Sequence, residues 1–169
     1  MRATVPTILA ALVVSAAPVS AQDEVTKITP EQIGQIFCIS RLGNDMTPTE
    51  ALMTPSLSAA IEEAMARNAA MQHAVPDEKP PLGDGVPWQS FPDYAARCTP
   101  GQVSYEMDEA GVEIRYGFPE APRANYSDTL RLRLVPDPVL GGTRWRIDDI
   151  AYDTDGTLRQ VLESAFLEN

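Results

Sequence analysis

Arginine is the residue type whose spacing in this sequence most clearly suggests binding chemistry. Arg131 and Arg133 alternate with leucines, and Arg144 and Arg146 flank Trp145. Because side chains alternate between the two faces of a strand, these arginines must share one face when the leucines point into the core. The predicted arginine face consists of Arg115, Arg131, Arg133, Arg144 and Arg146.

This predicted face has fewer acidic residues than arginines. Glu106, Glu113 and Asp148 are the carboxylates expected there, which is too few to neutralise every guanidinium group. One interpretation is a solvated face with cross-strand ion pairs, each worth well under about 1 kcal/mol. The other is a docking surface for an acidic protein partner, or for a second copy of the chain in a homodimer formed through the sheet face.

Asp148 and Asp149 are adjacent carboxylates in the last predicted strand. Neighbouring residues in a strand point to opposite faces, so the two cannot easily share a proton or a metal ion. Strict alternation would place the large apolar residues before the pair on one face of the sheet and those after it on the other. A β-bulge at the pair would bring them all to the same face. We therefore expect a bulge with structural carboxylates; bulges also occur beside functional sites.

Few other residues could support metal binding or catalysis. Residues 153–156, Asp-Thr-Asp-Gly, match part of a calcium loop, but aligning Gly156 places Ala151 and Leu162 at two ligand positions, so we expect only a turn. His73 is the single histidine and follows the longest predicted helix without a nearby partner, which is typical of a solvated helix end. We predict no metal site and no cofactor.

The first residues have the three regions of a secretory signal peptide. Arg2 precedes a short apolar run over residues 8–14, and Val19-Ser20-Ala21 places small residues where a signal peptidase cleaves. We predict that residues 1–21 are removed and that residues 22–169 form a single domain in the periplasm or outside the cell. The apolar run is too short for a permanent membrane span, and no cysteine at the cleavage site could carry a lipid anchor.

The chain is strongly acidic. Its 13 Lys+Arg and 24 Asp+Glu give a formal net charge of −11, and removal of Arg2 with the signal peptide leaves 12 against 24, or −12. Such a chain is repelled by nucleic acids and by anionic lipids. We therefore expect neither nucleic acid nor a membrane surface as a partner.

Two cysteines, Cys38 and Cys98, both follow the predicted cleavage site. An exported protein meets an oxidising compartment, so we predict that they form a disulfide bond. Two cysteines with one histidine cannot assemble an ordinary closed zinc site, and a thiol nucleophile would have only His73 as its base. The disulfide would tie the first helix to the segment before the sheet.

The first half of the chain has the pattern of helices. Thr29, followed by Pro30 and Gln32, is typical of a capping box, and Thr54-Pro55 begins the longest helix, predicted over about residues 55–72. Residues 74–87 contain four prolines and two glycines, which excludes regular structure and favours either a long ordered loop or a flexible lid.

The second half has the pattern of strands. We predict a turn at residues 99–101, a hairpin with its turn at residues 108–111, two further strands, and a C-terminal helix that begins at Thr157. The apolar side of the sheet must be covered. The predicted fold class is therefore α+β, with N-terminal helices packed on one face of a curved antiparallel sheet of about four strands.

This order of elements, with the strand Trp-Arg-Ile-Asp-Asp-Ile and the following turn and Thr-Leu-Arg, resembles small exported bacterial proteins of unknown function. These are similar in turn to the cone-shaped α+β fold of nuclear transport factor two and ketosteroid isomerase. The resemblance implies a cone pocket between the apolar sheet face and the helices, and we take Tyr105, Tyr116, Trp145 and Asp149 as candidate pocket residues. It implies little about activity, because this fold has many non-catalytic members.

Two functional hypotheses follow. The first is a non-catalytic periplasmic or secreted binding module with a cone pocket. The second is a small cofactor-free enzyme of the isomerase or hydrolase type that uses the same pocket. The two differ in pocket chemistry, because an enzyme needs convergent polar groups with perturbed pKa values in a cleft.

Overall fold

The structure, a computed structural model, describes residues 27–83 and 85–167. The predicted signal peptide lies outside the described residues. Three helices come first: α1 (Pro30–Gly43), α2 (Thr47–Glu50) and α3 (Pro55–Ala74). The four strands are β1 (Arg97–Glu106), β2 (Glu109–Gly117), β3 (Tyr126–Pro136) and β4 (Thr143–Ala151), with a short 3-10 turn over Pro122–Ala124 and a final helix α4 (Leu158–Ser164). The predicted α+β class is confirmed.

The helix starts follow from local sequence, as expected. The Thr29 hydroxyl accepts a hydrogen bond from the Gln32 amide at 3.3 Å, and the Gln32 side chain accepts one from the Thr29 amide at 2.9 Å. The hydroxyls of Thr54 and Thr157 also cap α3 and α4, accepting hydrogen bonds from the amides of Leu57 and Gln160. Each cap satisfies an amide that has no partner within its own helix. Helix α3 extends to Ala74, slightly beyond the predicted end.

The strands of the described sheet lie in the order β1-β2-β3-β4, and all pairs are antiparallel. Leu130 and Leu132 are buried on the face toward the helices, as the alternation predicts. In β4, Ile147 pairs with Leu132 and Asp149 pairs with Arg131, so Asp148 is an extra residue. This is the predicted bulge, and it allows Ile147 and Ile150 both to be buried.

Two local predictions are wrong. Residues 99–101 do not turn the chain but belong to β1, with a register shift between Pro100 and Val103. The reason is tertiary, because Cys98 pairs with Tyr116 of β2 and holds this part of the chain against the sheet. The hairpin turn lies at Met107 and Asp108 rather than at residues 108–111, and Met107, with φ 50° and 93% exposure, does not point toward the core.

The core fills the space between the helices and the sheet. Ile33 and Phe37 of α1 and Leu57 of α3 are fully buried against the inner sheet face. The predicted disulfide between Cys38 and Cys98 is present, with its Cα atoms 5.1 Å apart, and it joins α1 to β1. None of the helices among the described residues is long and apolar enough to cross a membrane.

The proline-rich loop after α3 is attached to that helix by side-chain amides. The Asn68 amide accepts a hydrogen bond from the Leu82 backbone and donates one to the Gly83 carbonyl, at 2.9 and 3.3 Å. Gln72 donates to the carbonyls of Pro76 and Glu78. Through these bonds, backbone groups of the loop have hydrogen-bond partners on α3. This favours the interpretation of residues 74–87 as an ordered loop over that of a flexible lid.

Candidate functional site

The outer face of the sheet, which points away from the buried leucines, carries the five predicted arginines. They lie there because each alternates with a residue of the inner face. Arg133 of β3 lies directly opposite Arg146 of β4, and Arg131 lies opposite Asp149. The side chains of Arg115 and Arg133 are about half exposed. The arginines thus form a charged surface that spans three strands.

More carboxylates reach these arginines than the strand pattern indicates. Glu113 is 2.6 Å from Arg115, and Asp148 is 3.9 Å from Arg133, as the strand pattern allows. Two carboxylates that the prediction did not include also contribute. Glu109, 3.2 Å from Arg133, lies where the hairpin prediction placed a turn, and Asp137, 3.5 Å from Arg144, lies in the loop after β3. The protein's own residues therefore neutralise part of the face.

Arg131 and Arg146 keep unneutralised charge. Neither has a carboxylate oxygen within 4.0 Å in the part of the chain that the structure describes. Burial, and then the charge of the neighbouring Arg144, lower the pKa of Arg146, against a smaller opposing effect of Asp137. The fall in pKa reflects unfavourable surroundings for the charged guanidinium. Arg131 and Arg146 consequently keep guanidinium charge that no carboxylate of the described residues pairs with.

A trough crosses the outer face beside these arginines. Two adjoining depressions of about 420 and 360 Å³ share Ser104, Gly111 and Thr129, and we call them together the outer trough. A Cβ atom on Gly111 would lie 2.8 Å from the Ser104 hydroxyl and 3.3 Å from a Thr129 methyl, so the floor has no room for a larger side chain. The larger depression is lined by Arg131 and Arg133 together with the carboxylates Glu106, Glu109, Asp148 and Asp149, and the smaller one by Glu113 and Arg115.

Asp148 and Asp149 connect the outer trough to the helix starts. Asp148 accepts hydrogen bonds from the Thr54 hydroxyl at 2.8 Å and from the Arg159 guanidinium at 3.0 Å. Asp149 accepts from the backbone amides of Ile150 and Arg159 at 2.9 and 3.1 Å. The bulge gives the two carboxylates separate partners, and they join β4 to the first residues of α3 and α4.

The candidate pocket residues do not form one pocket. Asp149 lines the outer trough. Tyr105 instead pairs with Ala110 of the inner face, donates a hydrogen bond from its hydroxyl to Glu31 of α1 at 3.0 Å, and makes an edge contact with Trp145, with ring centroids 6.1 Å apart. Tyr116 lies at the other end of the sheet on the inner face, where its ring stacks on Tyr126 at 4.6 Å. The strand pattern gives the face on which each residue lies but not its position along the sheet.

A buried polar cluster near Tyr116 was not predicted. Asp128, 1% exposed, accepts hydrogen bonds from the amides of Ser90 and Asp153, both at 3.0 Å, and from the Ser90 hydroxyl. Arg41, 7% exposed, donates to the Gln89 side chain at 2.5 Å and to the Tyr94 hydroxyl at 3.3 Å. These bonds hold the segment of residues 89–94 over the end of the inner face.

The cluster has perturbed electrostatics. Burial raises the pKa of Asp128, although its hydrogen bonds from Ser90 and Asp153 act in the opposite direction. Burial also raises the pKa values of Tyr116 and Tyr126; the charge of Asp128 adds to this, and that of Arg41 opposes it. Within the described residues neither tyrosine hydroxyl has a hydrogen-bond partner. The alternation of side chains along β3 is a signal for Asp128 in the sequence, because a strand that buries Leu130 on its inner face places Asp128 on the same face.

Residues 27–83 and 85–167 contain no group of three or more His, Cys, Asp or Glu side chains arranged to hold a metal ion. Comparison with protein-family models, with curated proteins and with solved structures gave no match. The resemblance to the cone-shaped fold therefore stays a prediction, and a functional assignment depends on the geometry of the chain itself.

Proposed function

We propose that the protein is an exported, non-catalytic interaction module that binds an acidic partner through the outer trough. The observation that carries this proposal is that Arg131, in the lining of the outer trough, and Arg146, on the neighbouring strand, have no carboxylate oxygen within 4.0 Å among the described residues, in a chain whose net charge is −11. The disulfide between Cys38 and Cys98 supports an oxidising compartment outside the cytoplasm.

The binding surface in this proposal is the outer face rather than a cone pocket. The residues between the helices and the inner face are closely packed, with Phe37, Leu57 and Ile114 fully buried. The outer trough, in contrast, is open, and its floor consists of small side chains and backbone. Arginine forks bind carboxylates in a bidentate geometry, which suits an acidic segment of a partner.

A photo-crosslinking amino acid at Thr129, on the trough floor, tests the proposal in the protein's own host. A matched site at Ala66, exposed on α3, serves as the control. We expect crosslinks from position 129 to map to a partner segment rich in Asp and Glu, and to disappear in an Arg131→Glu, Arg146→Glu variant. Crosslinks to the trough of a second copy would identify a homodimer as the partner. Crosslinks to non-acidic segments, or crosslinks unchanged by the charge reversal, would contradict the proposal.

The enzyme hypothesis remains the second candidate, and the buried cluster is the observation that favours it. Tyr116 and Tyr126 present hydroxyl groups without partners in the described chain, close to a carboxyl group whose pKa is raised by burial. Such groups are typical of acid–base sites. Turnover of activated esters or enolisable ketones by the wild-type protein, abolished by Tyr126→Phe and Asp128→Asn but not by Arg131→Glu, would favour this hypothesis over the interaction module.

A further inference from the structure

A separate depression of about 510 Å³ lies beyond Arg115, around Gly117 at the end of β2. We call it the Gly117 depression. The residues of its lining that matter here are Arg97, Arg115, Gly117, Phe118, Pro119 and Pro122. Its volume falls within the range of about 300–1,000 Å³ that small-molecule sites occupy. The proposed acidic-partner function does not use this depression.

The depression exists because residue 117 has no side chain. Gly117 lies opposite Arg97 in the β1–β2 pair, and a Cβ atom on Gly117 would lie 3.3 Å from the Arg97 Cβ. A larger residue at this position would occupy the floor and push against the Arg97 side chain. The glycine therefore leaves open the space between Arg97 and the loop that follows β2.

The opposite wall is built by a loop with internal hydrogen bonds. The Asn125 side chain accepts a hydrogen bond from the Phe118 amide at 2.8 Å, and the Ala121 amide donates to the Phe118 carbonyl at 3.0 Å. Pro119 and Pro122 restrict the backbone further, because their rings fix φ. The loop thus presents two proline rings and part of Phe118 as a preformed apolar wall.

Two guanidinium groups border the same space from the strands. Arg97 is exposed and has no carboxylate oxygen within 4.0 Å among the residues that the structure describes. Arg115, two residues before Gly117 on the same face of β2, is bound to Glu113 through one nitrogen. A guanidinium has five N–H donors, so Arg115 retains donors for a further acceptor.

We propose that the Gly117 depression binds a small carboxylate attached to an apolar group. The carboxylate would accept hydrogen bonds from Arg97 and Arg115, whose planar forks match its geometry. The apolar group would lie against Pro119, Pro122 and Phe118. A ligand with a single negative charge suits this position because Glu113 already pairs with Arg115 at 2.6 Å, which leaves Arg97 as the guanidinium of the lining without an ion pair among the described residues.

Titration of the ¹⁵N-labelled protein with 4-phenylbutyrate, followed by NMR, tests this site. We expect the backbone amide resonances of Arg97 and Gly117 to shift in a saturable manner, while that of Gly111 in the outer trough does not. The uncharged analogue 4-phenyl-1-butanol should bind about tenfold more weakly or not at all, since it lacks the carboxylate. Because the reporter amides differ, this test and that of the outer trough can fail independently.

Substitutions then distinguish a specific binding site from nonspecific electrostatic attraction of the carboxylate to the protein. Arg97→Gln should lose most of the affinity, and Arg97→Lys, which keeps the charge without the fork, should retain part of it. Arg123→Gln in the neighbouring 3-10 turn, which is not part of the lining, should bind like the wild type. Equal binding of the alcohol, shifts centred on Gly111, or unchanged affinity in Arg97→Gln would overturn the proposal.

Discussion

Arg133 and Arg146 face each other directly across the β3–β4 pair, on the outer side of the sheet. Like charges in such a cross-strand position repel. Glu109 and Asp148 compensate Arg133 at 3.2 and 3.9 Å, whereas Arg146 has no carboxylate that close within the described residues. The free protein therefore retains a repulsion that an acidic partner could relieve.

Substitution of Arg146 by glutamine should stabilise the free protein. The variant keeps most of the side-chain stem and removes the repulsion from Arg133 and Arg144, so we expect the free energy of unfolding to rise by about 0.2–1 kcal/mol. Urea denaturation at low and at high salt measures this effect, and the gain should shrink at high salt because the charges are screened. Arg67→Gln on α3 is the control, since it loses the exposed pair with Glu63 and should not gain stability. A less stable Arg146→Gln would contradict the repulsion.

Removal of the disulfide should destabilise the fold strongly. The bond closes a sequence separation of 60 residues. The chain-entropy relation then gives a loss of about 4 kcal/mol for the Cys38→Ser, Cys98→Ser variant. Urea denaturation of this variant, and of the wild type with and without reductant, measures the loss. The variant should be unaffected by reductant, and a loss below about 1 kcal/mol would show that the chain-entropy estimate does not apply here.

Asp128 should make stability depend on pH in a defined direction. Burial raises its pKa in the folded state above the ordinary value of 3.8. The folded state then binds this proton more tightly than the unfolded state does, so this contribution to stability falls as pH rises from 3.8 through the raised pKa. The difference in unfolding free energy between wild type and Asp128→Asn should decrease across that window and become constant above it.

Urea denaturation from about pH 3.5 to about pH 7.5 measures this difference. Ser90→Ala is an informative companion variant, because the Ser90 hydroxyl donates to Asp128 and lowers its pKa. Its loss should move the window to higher pH. A difference that rises with pH would mean that the hydrogen bonds outweigh burial at Asp128.

Gly34 should not tolerate alanine despite the higher helix propensity of alanine. A Cβ atom there would lie 2.8 Å from Val112 Cγ1 and 3.0 Å from Pro100 Cβ, so helix α1 would have to move away from the sheet. We expect Gly34→Ala to lower the free energy of unfolding by about 1–3 kcal/mol, as overpacked cores do. Gly43→Ala is the matched control in the last turn of α1, where the added Cβ would have no neighbour within 4 Å beyond the adjoining backbone of its own helix. That variant should be neutral or more stable in urea, and equal effects of the two substitutions would argue against the close approach.

Local sequence was sufficient for much of the fold. The capping pattern at Thr29 and Thr54 located the helix starts, because a cap requires only residues within the first turn. Leucine–arginine alternation located the inner and outer faces of β3, and the change of parity around Asp148 indicated the bulge. These features depend on neighbours in sequence, and strand periodicity alone determines the face on which a side chain lies.

The candidate sites depended on the tertiary structure. Cross-strand register and loop positions, rather than local pattern, place Glu109 beside Arg133 and Asp137 beside Arg144. The buried Asp128 finds its partners in Ser90 and Asp153, which are far from it in sequence. The chain alone determined which residues are polar and which face they share. Packing decided which charges meet, since ion pairs and hydrogen bonds form only when side chains distant in sequence come within about 3–4 Å.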